Sequence, residues 1–220
     1  MKQFAIIGLG NFGYYLATNL YEKKHDVLAI DIDTSRVQEI KDKVTQAVVA
    51  DATDIRALET LGIKQMDAAV VCIGSILSDS ILATLNLKDI GVKRVFAKSV
   101  SEPHGRILHK VGALQVFFPE KDMANSLAER LHNPNILDYL PFLEGYSIIE
   151  LVPPKSFIGQ TLKALNLINR YGVQVLAIKR IVPNQLNMIP TGEYVLKNGD
   201  ILISIGPNDK LDLLREKEKE

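Results

Sequence analysis

The sequence of 220 residues predicts an α/β fold in which a Rossmann-like parallel sheet is followed by a small α+β unit. Short apolar runs alternate with helices of about 10–15 residues over the first half of the chain, a pattern typical of an open parallel sheet. The first apolar run ends in the glycine motif GLGNFG, and the second ends in Asp31. Strand, glycine turn, helix, strand and acid in this order indicate a nucleotide-binding βαβ unit.

The glycine turn provides what a pyrophosphate group needs. Residues 4–7 form a buried strand, after which Gly8 permits a tight turn. Gly10 lets bare backbone approach the ligand, and Gly13 lets the following helix, 12–23, pack closely on the strand. Free N–H groups and the positive end of the helix dipole then hold an anion without a cationic side chain. The alternative is a fold that uses the glycines only for packing.

Asp31 ends the second strand, 27–30. It lies close to the spacing, about 20 residues, of the acid that accepts hydrogen bonds from ribose hydroxyls. A 2′-phosphate would be repelled by this carboxylate. No arginine immediately follows it in the segment DIDTS, so NADP is the least expected of the adenine nucleotides.

The remaining elements of the first domain continue the alternation. We predict helices at 34–43, 51–61, 78–90 and 103–111, and strands at 47–50, 68–73, 94–98 and 115–118. Ligands of such sheets lie beyond the carboxyl ends of the strands, at the topological switch point. The residues assigned to nucleotide binding are Gly8, Gly10, Asn11, Phe12, Gly13, Asp31, Ile32, Asp33, Asp51, Ala52, Thr53, Ile73, Gly74, Ser75, Lys98 and His104.

Two of these residues have an alternative role. Asp51 borders the adenine or caps the helix that follows it, and the two roles are equally expected because Asp is a favoured N-cap residue. Lys98 offsets phosphate charge or is a solvated strand end.

The pattern changes after Pro119. Residues 120–131 are amphipathic, the segment Asn133-Pro134-Asn135 interrupts them, and 136–143 are apolar again, so we expect a pair of crossover helices over about 120–143. Their apolar residues are Ala124, Leu127, Ala128, Leu131, Leu137, Leu140, Phe142 and Leu143. A second copy of the chain could cover this surface, or the segment packs back on its own sheet.

From residue 144 onward a smaller α+β domain is expected. Its predicted strands are 147–151, 173–181 and 201–205, and its predicted helices are 161–168 and 209–219. A turn at Asn198-Gly199-Asp200 leads into the last strand. The segment carries no catalytic motif and is typical of a regulatory module. The predicted domains are therefore 1–143 and 144–220.

Composition excludes several classes of function. The 26 basic residues balance 26 acidic ones, so no net field attracts nucleic acid. No apolar run is long enough to span a bilayer, and we expect a soluble, cytoplasmic protein. The spacing of the four histidines indicates no zinc site. The single cysteine, Cys72, lies in an apolar run and is expected to be a buried strand residue.

Six segments carry a resemblance to a known family: IIGLGNFG, DIDTSRV, ADATD, PEKDMA, LNLINRYGVQVLAIKR and KNGDILISIG. In this order they resemble the RCK regulatory subunits of bacterial Ktr and Trk potassium transporters, the TrkA-, KtrA- and KtrC-like proteins. The resemblance covers essentially the whole chain. It implies a non-enzymatic subunit, peripheral on the inner face of the cell membrane, with a C-terminal RCK domain.

The resemblance also implies partners and ligands. Homodimers assemble into an octameric ring that binds ATP or ADP and gates a membrane potassium-transporter subunit of the KtrB, KtrD or TrkH type. Glu120 of the PEKDM segment lies near the nucleotide phosphates, where family members place a cation. A carboxylate that faces phosphates requires such a cation. The alternative for Glu120 is a first-turn acid favoured by the helix dipole.

Two departures from the family pattern concern the ligands. Ktr-type members commonly carry GRFG, whereas this chain has Asn11, so NAD(H), which Trk-type members use, remains an alternative to ATP and ADP. Members that bind cyclic di-AMP have an arginine at the position of Ile168. Arg170 could substitute for it, and Pro190 completes the predicted second site.

Two other classes of function share this fold. An NAD-dependent oxidoreductase needs an acid or base at the nicotinamide, and neither His104 nor Lys98 has a visible partner for that role. A redox-sensing transcriptional regulator needs a DNA-reading helix and a basic face, which this sequence does not show.

Overall fold

The computed structural model describes residues 1–132, 136–143, 145–180 and 185–216. The chain divides into two compact units, Met1–Lys121 and Asp122–Glu220. The predicted domain boundary after residue 143 stays a prediction. None of the helices in the described part of the chain has the length and apolar character required to span a bilayer.

The first unit is a doubly wound parallel sheet, as predicted. Its strands are β1 (Gln3–Ile7), β2 (Asp26–Asp31), β3 (Gln46–Val49), β4 (Ala68–Val71), β5 (Val95–Lys98) and β6 (Gln115–Phe117). Its helices are α1 (Asn11–Glu22), α2 (Thr34–Ile40), α3 (Ile55–Thr60), α4 (Leu77–Ile90) and α5 (Glu102–Lys110), and α6 (Pro119–His132) begins in it. The order β3-β2-β1-β4-β5-β6 places the switch point between β1 and β4.

Both faces of the sheet are buried at its central strands β1, β2 and β4, which explains why these strands are largely apolar. Alternate residues of β1 point to opposite faces. Ala5 and Ile7 pack in one core with Leu58 of α3 and Leu87 of α4. Ile6 packs in the other core with residues of α1 and α2. The carboxyl ends of β1, β2 and β4 are thereby held rigidly at one edge.

The second unit is built on a five-stranded antiparallel sheet. Its strands are β7 (Ile136–Leu143), β8 (Tyr146–Leu151), β9 (Gln174–Arg180), β10 (Gln185–Met188) and β11 (Asp200–Pro207), in the order β10-β9-β11-β8-β7. Its helices are α7 (Leu162–Leu165), α8 (Leu167–Tyr171) and α9 (Asn208–Glu216). Ile149, Leu165, Leu202 and Leu211 belong to its core, which joins β8, β11 and all three helices.

Two predicted elements of this region are corrected, and one strand is added. The apolar segment 136–143 is strand β7 and not a second crossover helix, because Pro141 disfavours a helix interior and is tolerated on an edge strand. The predicted helix 161–168 is broken at Asn166, whose φ of 48° ends α7. Strand β10 was not predicted, and it pairs with β9.

Candidate functional site

Two of the three glycines in the first turn are required by packing. Gly8 has a φ of +92°, and a Cβ there would lie 2.8 Å from the backbone nitrogen of Ile73. A Cβ on Gly13 would lie 1.9 Å from the carbonyl oxygen of Gly8. The start of α1 can therefore approach β1 and β4 only without side chains at these two positions.

Gly10 has no such packing reason. Its φ is −62°, and a Cβ there would meet no atom of the chain within 4 Å. Gly10 is the N-cap of α1, and no side chain caps the helix. The first-turn amides, together with the helix dipole, favour an anion at this point. Asn11 is the first helical residue and is exposed, so it adds no charge.

Asp31 is oriented at the end of β2 by backbone hydrogen bonds. The Leu9 N–H donates to its Oδ2 at 2.5 Å, and the Asp33 N–H donates to its Oδ1 at 2.9 Å. The residue is only 7% exposed. A second group, the Arg36 guanidinium, places Nη1 3.5 Å from Asp31 Oδ2. The carboxylate is thereby fixed at the carboxyl end of β2.

The loop after β3 forms the opposite wall. Asp51 Oδ1 accepts hydrogen bonds from the Thr53 N–H at 2.8 Å and from the Thr53 hydroxyl at 2.7 Å. Asp54 caps α3 instead, through the Arg56 N–H, so Asp51 is not the cap of that helix. Buried Asn86 of α4 donates to the carbonyl oxygens of Ala52 and Thr53, which fixes the loop.

These elements enclose an open cleft of about 110 Å³ at the switch point. Of the predicted residues, Gly8, Asp31, Ile32, Asp51, Ala52, Thr53, Ile73 and Ser75 line it. Its other lining residues were not predicted: Ile7, Ile30, Arg36, Ala50, Ile76 and Asp79. Ile76 is the N-cap of α4 and Asp79 lies in its first turn, and the position of this helix start after the fourth strand was a signal for inclusion. Arg36 lies in the first turn of α2 and offered no such signal.

Lys98 and Glu120 form an ion pair between the end of β5 and the start of α6. The lysine side chain is 12% exposed and the glutamate 67%. The hydrogen bond from Lys98 lowers the pKa of Glu120 below its ordinary value of 4.5. Lys98 Nζ lies 3.7 Å from where a Gly74 Cβ would be, so its charge is close to the strand ends.

A cation at Glu120 stays a prediction. Among the described residues no group of three or more His, Cys, Asp or Glu side chains is placed to hold a metal ion. Such a cation would therefore need additional ligands, for which nucleotide phosphates have the required oxygens.

The other predicted residues lie outside the lining of the cleft. Gly10, Asn11 and Gly13 belong to the glycine turn and α1, and Asp33 caps α2 through the Ser35 N–H. Phe12 packs on Phe117, with ring centroids 5.3 Å apart. His104 is 2% exposed, and burial lowers its pKa. A role of His104 in nucleotide binding stays a prediction.

Cys72 is buried behind the glycine turn, as predicted. Its side chain packs in the same core as Ile6 and Ala17. Burial raises the pKa of the thiol to about 12, so the unreactive protonated form persists at neutral pH.

A second cavity, of about 500 Å³, lies in the Asp122–Glu220 unit. Ile168 and Pro190 of the predicted second site line it, together with Asn166, Asn169 and Gln174. Arg170 is not among its lining residues, and its guanidinium carbon lies 5.9 Å from the centroid of the Tyr171 ring.

The fold and the cleft define a Rossmann-type protein with an appended antiparallel unit. A TrkA-N domain model matches residues 4–119, and a TrkA-C domain model matches residues 146–219. The Ktr system potassium uptake protein C of Bacillus subtilis is 38% identical over 205 residues, which are 93% of this chain and 92% of that protein. The Ktr system potassium uptake protein A of Vibrio alginolyticus is 37% identical over 96% of this chain and 94% of its own length.

The chain belongs to the family of Ktr potassium uptake proteins that combine a TrkA-N and a TrkA-C domain. The resemblance found in the sequence is confirmed. The solved GsuK RCK domain superimposes with a TM-score of 0.68 at 19% identity, over 100% of this chain and 48% of its own. The GsuK channel bound to NAD gives the same TM-score at 18% identity, over 100% and 40%. The chain spans less than half of these structures, and at this identity they show the fold alone.

Proposed function

We propose that this protein is a cytosolic regulatory subunit of a bacterial potassium uptake system, which binds ATP and ADP in its Rossmann cleft. The nucleotide controls a membrane transporter subunit of the KtrB, KtrD or TrkH type, to which the protein attaches on the inner face of the cell membrane. The protein itself catalyses no reaction. Its relatives in the Ktr family support the proposal at the level of the transport system.

The single observation that carries nucleotide binding is Gly10. Its missing side chain has no explanation in packing, while it opens the N-terminus of α1 to an anion. Asp31, at the end of the neighbouring strand, supplies the ribose contact. A phosphate group and a ribose are therefore bound at one edge of the sheet.

A switch requires a ligand pair with different affinities for two conformations, and the γ-phosphate provides that difference. We expect ATP and ADP both to bind the purified full-length protein and to give different solution-scattering profiles. Equal affinities together with identical profiles would contradict the gating proposal. Mass spectrometry of the nucleotide released from the purified protein identifies the ligand directly.

The side chain at position 11 sets how strongly the protein distinguishes ATP from ADP. Replacing Asn11 by Arg adds a charge-assisted contact at the start of α1 and is expected to raise ATP affinity about tenfold, with a smaller gain for ADP. The control is Asn19→Arg, an exposed change in the last turns of the same helix. Isothermal titration with both nucleotides measures the effect. Equal gains in the two variants would show only a general gain from added charge.

NAD(H) is the alternative ligand of the same cleft. The uncharged Asn11 favours NAD(H), because a dinucleotide has no terminal phosphate group that an arginine at this position would bind. Competition between NADH and ATP for the purified protein decides between the two. An NAD-dependent oxidoreductase is less favoured, and a screen for hydride transfer tests it.

The second cavity is proposed to bind cyclic di-AMP. Ile168 and Pro190, two of the three residues assigned to this ligand, line the cavity. Ile168→Arg is expected to raise the affinity for cyclic di-AMP at least tenfold, because a phosphodiester gains a charge-assisted hydrogen bond. Leu186→Arg, at an exposed position of β10, is the control. Unchanged affinity in Ile168→Arg would refute the assignment of the cavity.

Assembly into homodimers and an octameric ring is supported by one face of α6. Met123, Leu127 and Leu131 recur at every fourth position and are 64%, 46% and 73% exposed. An exposed apolar stripe of this kind indicates a surface that a second copy of the chain covers.

A further inference from the structure

The cleft at the switch point has an unusual charge balance for a site that receives an anion. Within the described residues that line it, three are carboxylates, Asp31, Asp51 and Asp79, and Arg36 is the single cation. A nucleotide brings further negative charge into this lining. The binding energy of any adenine nucleotide therefore depends on what Arg36 does when the ligand enters.

The hydrogen bonds of Asp31 leave too few acceptor positions for Arg36 and a bidentate ribose diol to bind at the same time. A carboxylate offers about four acceptor positions on its two oxygens. The Leu9 and Asp33 amides take one position on each oxygen, and Arg36 faces Oδ2. A ribose diol that binds in bidentate fashion needs one free position on each oxygen, so it competes with the guanidinium.

Arg36 is well suited to be displaced. Its contact with Asp31 Oδ2 is 3.5 Å, longer than a normal hydrogen bond, and its contact with Asp33 is 3.8 Å. Half of its side chain is exposed. The backbone beneath it is fixed, because Asp33 caps α2 through the Ser35 N–H at 2.8 Å. The guanidinium can therefore reorient while Cα stays in place at the edge of the cleft.

We propose that Arg36 is a specificity-determining residue for adenosine: the ribose displaces it from Asp31, and its guanidinium then lies against the adenine ring. This inference rests on the proposed nucleotide function. A planar guanidinium stacks on aromatic faces, which an ammonium group does not do equally well. The same group offsets the carboxylates around the base. Arg36 thus acts on the adenosine portion, while the glycine turn of α1 binds the phosphates.

The test compares Arg36→Gln with Arg56→Gln in the full-length protein. Arg56 is a matched control, because it is exposed in the first turn of α3, near the capping Asp54, and does not line the cleft. Affinities for ATP, ADP, NADH and base-free tripolyphosphate are measured by titration calorimetry. Thermal unfolding of each variant verifies that its fold is intact.

We expect Arg36→Gln to bind ATP, ADP and NADH each about tenfold more weakly, with the ratio of ATP to ADP affinity unchanged. Tripolyphosphate binding should be the same as in the unmodified protein, and Arg56→Gln should change nothing. Arg36→Lys keeps the charge without the planar group and should recover only part of the loss.

Three results would overturn the inference. They are unchanged or tighter nucleotide binding in Arg36→Gln, a loss confined to ATP, and full recovery in Arg36→Lys. A failure of the proposed function looks different, because the unmodified protein would then bind none of the three nucleotides.

Discussion

Each glycine of the first turn has a different physical role. Gly8 occupies a left-handed backbone conformation, Gly13 allows backbone to touch backbone, and Gly10 leaves empty space at the helix terminus. The sequence motif already suggests a separate role for each glycine. The structure adds a separation between Gly8 and Gly13, which packing requires, and Gly10, which we propose admits a ligand.

This separation predicts opposite outcomes for two alanine substitutions. Gly13→Ala forces a Cβ against the carbonyl of Gly8 and should lower the free energy of unfolding by more than about 2 kcal/mol. Gly10→Ala should cost about 1 kcal/mol or less, yet weaken nucleotide binding at least tenfold, because its Cβ would occupy the space that we propose for the phosphates. Urea denaturation and nucleotide titration measure the two effects. Unimpaired binding in a folded Gly10→Ala variant would remove the main argument for the phosphate site.

At the residue scale, the sequence predicted the contacts that lie near strand ends and missed those that depend on helix rotation. Asp31 ends β2, Thr53 lies in the loop after β3, and both line the cleft. Arg36 and Asn86 reach the site from within α2 and α4. Their inward direction depends on how each helix packs on the sheet, which a local pattern does not specify.

At the scale of elements, the parallel sheet was predictable because each buried strand is a short apolar run between helices. The strand at 136–143 was not predictable, because a short apolar run is compatible both with a strand and with a buried helix. Its pairing with β8 depends on a partner in the following segment. Pro141 was the one local signal for strand over helix.

The Lys98–Glu120 ion pair joins β5 to α6 and predicts that the stability of the fold depends on pH. The folded protein holds the pKa of Glu120 below its ordinary value of 4.5, so the stabilisation is present above that pH and is lost as pH falls through the lowered pKa. Glu120→Gln should be slightly less stable than the unmodified protein at pH 7, by less than about 1 kcal/mol. This stability difference should be smaller at pH 3 than at pH 7, because more of the Glu120 carboxyl group is protonated at pH 3.

Urea denaturation at the two pH values measures this difference. Glu22→Gln, at an exposed glutamate in the last turn of α1, is the control. A stability difference of the same size at pH 3 and at pH 7 would mean that Glu120 acts through contacts other than its charge.

At the scale of the whole molecule, each of the two units offers its own candidate ligand site. The first unit offers a cleft built from the ends of parallel strands, and the second offers a separate cavity within an antiparallel fold. The helix α6 leaves the first unit with an exposed apolar stripe that neither cleft nor cavity uses. The proposed control of one membrane partner by two ligands requires a common assembly, and this stripe is the surface we expect to form it.

Leu127→Glu tests that expectation. A charge in the middle of the stripe formed by Met123, Leu127 and Leu131 has to be desolvated when a second copy covers it, which opposes association. We expect the molar mass from light scattering to fall toward that of smaller species at the same protein concentration. Asn125→Glu adds the same charge to an exposed position on roughly the opposite side of α6, and should leave the mass unchanged. If both variants keep the mass of the unmodified protein, this stripe does not mediate self-association.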